Sequence, residues 1–191
     1  MIKKPLLYFK KDIEWRAWLL ENHHVSTGIH LVFYKVKSDK ESMRWEEAIK
    51  VALCFGWIDS TIKKIDDDKR KQYFSPRNPK SAWSKLNKTY IKELIKNNLM
   101  HQSGLDKIKF AKKNGSWTAL DAVENLIIPS ELQTAFAKNA IAFENYTNFS
   151  PSYRKNYLYW LNEAKREATR ERRITEIIRL CKENIKSRGE W

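Results

Sequence analysis

The spacing of apolar residues divides the chain into a mixed first part and a helical second part. From Asp12, the residues Ile13, Trp15 and Trp18-Leu19-Leu20 recur at helical intervals, and Asn22-His23-His24 followed by Ser26-Thr27-Gly28 ends the run. Ile29 to Val36 is β-branched and aromatic, which predicts a strand, and Lys37-Ser38-Asp39-Lys40 predicts the turn that closes it. Ser42 has the form of a helix N-cap, with Trp45, Ala48, Ile49, Ala52 and Leu53 at helical spacing behind it. Glu46 and Glu47 sit where carboxylates suit the helix dipole, and Gly56 is the stop. Trp57 to Ile65 then alternates, Asp66-Asp67-Asp68-Lys69 turns, and Arg70 to Phe74 returns as the second arm of an antiparallel hairpin. The expectation for this part is a small antiparallel sheet of about three strands packed on two helices.

The segment Ser75-Pro76-Arg77-Asn78-Pro79-Lys80 cannot be a central strand, and beyond it helical periods dominate. Trp83, Leu86, Tyr90, Leu94 and Ile95 share one helix face, and a second helix opens at Ser103-Gly104-Leu105 and runs to Gly115. Residues 118–128 give no clear assignment. Pro129-Ser130-Glu131 and Ser150-Pro151 have the Pro-and-acid or Ser-Pro form of helix starts. Two apolar stripes follow, Tyr153 to Ala164 and Ile174 to Cys181, around a charged run at 165–173, so the segment is either one bent helix or a helical hairpin. The fold class expected is α+β: an α+β core domain over 1–116 and an all-helical module over 117–191.

Eight Trp and 42% hydrophobic residues exclude a disordered chain. No apolar run approaches the roughly 18 residues of a membrane span. Lys3-Lys4-Pro5-Leu6-Leu7-Tyr8-Phe9 imitates a signal peptide, but Lys10-Lys11-Asp12 interrupts it early, and a cytoplasmic protein is expected. Cys54 and Cys181 lie in apolar stretches and read as buried hydrophobes. With no CxxC, HxxxH or HExxH spacing and no glycine-rich phosphate loop, the sequence points to no metal, no cofactor and no nucleotide hydrolysis of the P-loop type.

The net charge is +14, and it is uneven: residues 61–116 carry 15 basic against 5 acidic side chains. A surplus of that kind favours an anionic small molecule, an acidic protein or nucleic acid. The Pro-stiffened loop offers one site for an anion. Arg77, Lys80, Ser81 and Ser84 supply donors at a helix start, Trp83 follows them, and Asp59 lies upstream as a salt-bridge partner or general base. The opposing reading of the same residues is structural: Ser81 or Ser84 caps the helix, Trp83 packs in the core and Arg77 pairs with Asp59. For nucleic acid the interleaved Lys69, Arg70, Lys71, Tyr73, Lys85 and Lys88 are the corresponding residues. Asp66-Asp67-Asp68 lacks the spacing of a calcium loop and reads as a turn. Arg166, Arg170 and Arg173 share a helix face that is open to two readings, phosphate contact or neutralisation by Glu163, Glu167 and Glu171.

Three strings, Ala52-Leu53-Cys54-Phe55-Gly56-Trp57-Ile58-Asp59-Ser60, Phe74 to Asn87, and Ser150 to Leu161 with Ala164-Lys165-Arg166 and Thr169-Arg170, together resemble the bacterial bacteriocin-protection, or YdeI/OmpD-associated, family. The resemblance runs from about Trp15 to about Lys182; Ala168 and Asn78 depart from the residues the family often shows there. It implies a cytoplasmic bacterial stress-response protein linked to tolerance of bacteriocins and cationic antimicrobial peptides. It carries over no catalytic residue; the reading leans to a binding protein, with an enzyme using a carboxylate and arginine pocket of Asp59 and Arg77 as the remaining alternative.

Overall fold

The structure, a computed structural model, describes residues 4–188. The chain divides into two compact units, Met1–Thr118 and Ala119–Trp191. The first is built in the order β1 (Leu6–Tyr8), α1 (Asp12–Asn22), β2 (Ile29–Tyr34), α2 (Trp45–Cys54), β3 (Trp57–Lys64), β4 (Lys69–Pro76), α3 (Lys85–Lys96) and α4 (Gln102–Lys113). The sheet has four strands in the order β1-β2-β4-β3. It is therefore one strand larger than the sequence predicts and not wholly antiparallel, because β1 pairs with β2 in parallel, Leu6 opposite His30 and Tyr8 opposite Val32. Parallel neighbours need a crossover, and α1 supplies it.

One face of this sheet is the core. Ile29, Leu31 and Phe33 of β2 and Phe74 of β4 point to it, and Trp15 and Leu19 of α1 with Ala48, Ile49, Ala52 and Leu53 of α2 cover them. Trp15 stacks on Trp18 at 5.4 Å and meets Trp57 and Phe74 edge-on at 6.2 and 5.9 Å. Its indole N–H donates to the Ala48 carbonyl at 3.2 Å, so burying the ring leaves no donor unpaired. Ser42 does not cap α2. The cap is Arg44, whose N–H donates to Glu47 at 2.6 Å, while Ser42 is buried and accepts the Tyr34 N–H at 3.2 Å. Trp83 likewise precedes its helix; Ser84 caps α3 by accepting the Asn87 N–H at 3.2 Å.

The second unit is helical throughout: α5 (Asp121–Glu124), α6 (Ser130–Ala137), α7 (Ala140–Asn148), α8 (Pro151–Asn162) and α9 (Glu167–Lys182). The two stripes belong to a helical hairpin, not to one bent helix: the chain turns at 163–166, and the rest of the charged run forms the first turns of α9. Leu132, Phe136, Tyr146, Tyr157, Leu161, Ile177 and Cys181 form the core of this unit. Arg170 pairs with Glu131 and donates to the Leu161 carbonyl at 3.3 Å, and Arg173 donates to the Trp160 carbonyl. Two of the three arginines of that face thus tie down the last carbonyls of α8, where a helix leaves acceptors unpaired. Among the described residues no helix is long and apolar enough to cross a membrane.

Candidate functional site

The Pro-stiffened loop after β4 places its residues in separate settings. Arg77 is 4% exposed, with its guanidinium 3.8 Å above the ring of buried Trp83 and one donor on the Ala82 carbonyl. Burial pulls its pKa down to about 10, opposed by the nearby Asp59 carboxylate. The Asp59 carboxylate itself accepts from the Trp45 indole N–H at 2.8 Å and from the Gln72 amide. Ser81 donates to the Asn78 carbonyl at 2.8 Å, Ser84 caps α3, and Lys80 is exposed on the turn. Arg77 and Trp83 are therefore brought together in the interior with the half-buried Asp59 carboxylate nearby, while Lys80, Ser81 and Ser84 close the turn and start the helix.

The opposite face of the sheet collects charge and rings at the surface. Strand alternation puts Lys69, Lys71 and Tyr73 of β4 on this face and turns Gln72 and Phe74 into the core. Register then sets Tyr73 opposite His30, Lys71 opposite Val32 and Lys69 opposite Tyr34 on β2. Lys71 also faces Lys63 of β3, and Tyr8 of β1 lies beside Val32. The rings form two pairs, Tyr8 with Tyr34 at 5.2 Å and His30 with Tyr73 at 5.1 Å. Lys40 and Lys69 stand over Tyr34 at 5.3 and 5.6 Å. Of the acids of the β3–β4 turn, Asp67 pairs with Lys64, Asp66 pairs with Lys69 at 3.4 Å, and Asp68 accepts from the Ser38 hydroxyl at 2.9 Å. Lys63 and Lys71 form no ion pair among the described residues. Partial burial, and after it the field of these two lysines, lowers the pKa of His30.

Of the six residues read from the sequence as a nucleic-acid surface, the fold places Lys69, Lys71 and Tyr73 here. Arg70 is on the core side near the start of the inner strand β4, over the Phe33 ring at 5.6 Å. Lys85 and Lys88 belong to α3, Lys88 lying over the Trp117 ring at 5.3 Å. Tyr8, His30, Tyr34 and Lys63 complete the face and were not legible as part of it, since only pairing register unites them.

At the His23 corner of the same unit lies a cavity of about 610 Å³ lined by His23, His24, Lys107, Ser103, Phe55 and Trp57 among others. Among the described residues no three His, Cys, Asp or Glu side chains converge to hold a metal ion.

The class these features define is a protein of two units, an α+β unit with a basic, aromatic sheet face and a separate helical unit. Residues 7–107, more than half of the chain, match a family described as a domain of unknown function (DUF8412), and the chain belongs to that family. Residues 125–184 match the family described as bacteriocin-protection, YdeI or OmpD-associated. That resemblance therefore stands for the helical unit, whereas the strings at 52–60 and 74–87 fall in the segment matched by the first family. No curated protein and no solved structure matches the chain.

Proposed function

We propose that this protein binds single-stranded nucleic acid on the solvent face of its N-terminal sheet. The observation that carries the reading is the placing of stacking rings among cations on one face: Tyr34, Tyr73 and His30 stand with Lys63 and Lys71, which form no ion pair among the described residues, and with Lys69, which is paired with Asp66 at the turn. Strands about 4.8 Å apart space such rings so that successive unpaired bases can lie on them, while lysines follow the phosphates. An acidic protein would answer the charge as well, but it has no use for the rings, and they favour nucleic acid over it. Binding by this face needs no cofactor.

Fluorescence anisotropy with a labelled single-stranded oligonucleotide, its duplex and an acidic polypeptide competitor tests the proposal. The single strand is expected to bind tightest, and Tyr34→Ala and Tyr73→Ala are each expected to weaken it by about 1–3 kcal/mol. Equal affinity for duplex and single strand, or indifference to both tyrosine substitutions, would refute base stacking on this face.

A further inference from the structure

The cavity beside His23 contains an unusual balance of groups for a molecule with 23 acidic residues: among the described residues no Asp or Glu lines it. Its polar lining is instead the Lys107 ammonium, the imidazoles of His23 and His24, and a set of hydroxyls that includes Ser103. The walls are built by close backbone packing. Gly104 brings the first turn of α4 against the end of α2 so closely that a Cβ there would lie 2.2 Å from the Cys54 carbonyl oxygen. The His101 N–H donates to that same oxygen at 3.1 Å, and the Ser103 hydroxyl donates to the Phe55 carbonyl at 3.1 Å. Gly56, at φ +72°, then leaves room for the Lys107 stem to cross it, since a Cβ at 56 would lie 2.6 Å from Lys107 Cγ.

His23 is equally fixed. Its Nδ1 donates to the Leu19 carbonyl at 2.8 Å, its ring packs on Phe55 at 5.3 Å and on His101 at 4.8 Å, and its own carbonyl accepts the Trp57 indole N–H at 3.3 Å. With Nδ1 committed as a donor, Nε2 is the nitrogen left for a ligand, and it donates to a phosphate oxygen when the ring is the imidazolium. We infer that this cavity is a binding site for a phosphate monoester of nucleotide size, its phosphate held by Lys107 and His23 and its hydroxyls by the serine and threonine lining. A volume of about 610 Å³ suits a small-molecule site. A dianionic phosphate is the ligand that answers an ammonium and two imidazoles in a lining to which no described residue adds a carboxylate. The site stands apart from the sheet-face reading, although Tyr73 borders both. The monoester has two sources, a free nucleotide or the phosphorylated end of a strand.

Isothermal titration of the full chain with adenosine monophosphate and with adenosine tests the site. Adenosine monophosphate is expected to bind and adenosine to bind at least tenfold more weakly, since a charge-assisted pair contributes about 1.5–3 kcal/mol. Lys107→Met and His23→Asn are each expected to lower affinity for the monophosphate about tenfold or more. The Asn amide can keep the bond to the Leu19 carbonyl, and an unchanged melting temperature identifies each variant as folded. Oligonucleotides with a terminal phosphate or a terminal hydroxyl separate the sources: preference for the phosphate assigns the strand end, and equal binding beside a monophosphate signal assigns the free nucleotide. No binding of the monophosphate, equal binding of adenosine, or monophosphate affinity unchanged in both folded variants would overturn the inference. The sheet-face proposal would stand or fall separately, on the tyrosine variants.

Discussion

Replacing Lys63 and Lys71 together by alanine removes the two cations that face each other across β3 and β4. Neither makes an ion pair among the described residues, and Lys63 is exposed, so the fold is expected to lose little. Their effect on nucleic-acid binding follows from counterion release, which for single strands gives a slope of log K against log salt of about −0.7 per phosphate neutralised. Lys63, Lys69 and Lys71 together give about −2.1, and removal of two of them leaves about −0.7. Between about 50 and about 200 mM KCl the native protein should lose affinity roughly 20-fold, and the double variant only about 3-fold. Anisotropy titrations of an oligothymidylate of about twelve nucleotides over that range measure both slopes. If the variant keeps the native slope, these lysines do not lie on the phosphates and the placement of the strand is wrong.

Three further outcomes test the packing beneath the face. Gly104→Ala should lower stability by about 2 kcal/mol in urea unfolding despite the better helix former, because the added methyl meets the Cys54 carbonyl; a stabilised variant would contradict the close approach of α4 to α2. Arg77→Met should change stability by about 1 kcal/mol or less, since two buried guanidinium nitrogens, Nε and Nη1, have no hydrogen-bond partner to lose among the described residues, whereas Trp83→Ala should cost about 3–5 kcal/mol; equal large losses would show that the guanidinium is better satisfied than its geometry indicates. His30 and His101 both have pKa values lowered, first by burial and then by neighbouring cations, so the unfolded chain takes up protons before the folded one. Their contribution to stability should be complete above about pH 6.5 and be lost as pH falls below it, and His30→Gln with His101→Gln should flatten the urea midpoint between about pH 7.5 and about pH 5.5 relative to the native protein; an unchanged pH profile would contradict this.

The elements with their own period were readable from the sequence, and those that depend on distant partners were not. Trp15, Leu19, Ala48 and Ile49 recur at helical spacing and form the core that such spacing implies. The strand β1 is only three residues long, too short to show an alternation, and it is a strand because β2 offers Pro5 and its successors a parallel edge. Ser42 looked like a cap because serine often is one, but the end of β2 has an unpaired Tyr34 N–H that competes for it. For the candidate site the same distinction holds. Reading contiguous basic residues from 69 to 92 joined Arg70, Lys85 and Lys88 to a surface they do not share, since alternation turns Arg70 to the other face and Lys85 and Lys88 lie on a helix. Tyr8, His30, Tyr34 and Lys63 are spread over more than fifty positions, and strand register alone makes them neighbours. The excess of positive charge in 61–116 was legible from counting; that part of it stands among rings on one sheet face required coordinates.

The most direct measurement is an amide chemical-shift map of the isotope-labelled full chain titrated with a short single-stranded oligonucleotide. Shifts are expected to concentrate on β2, β4 and the second half of β3, with the largest at His30, Tyr34, Lys63, Lys71 and Tyr73. Shifts confined to α3 around Lys85 and Lys88, or a spectrum that does not move, would show that the sheet face is not where nucleic acid binds.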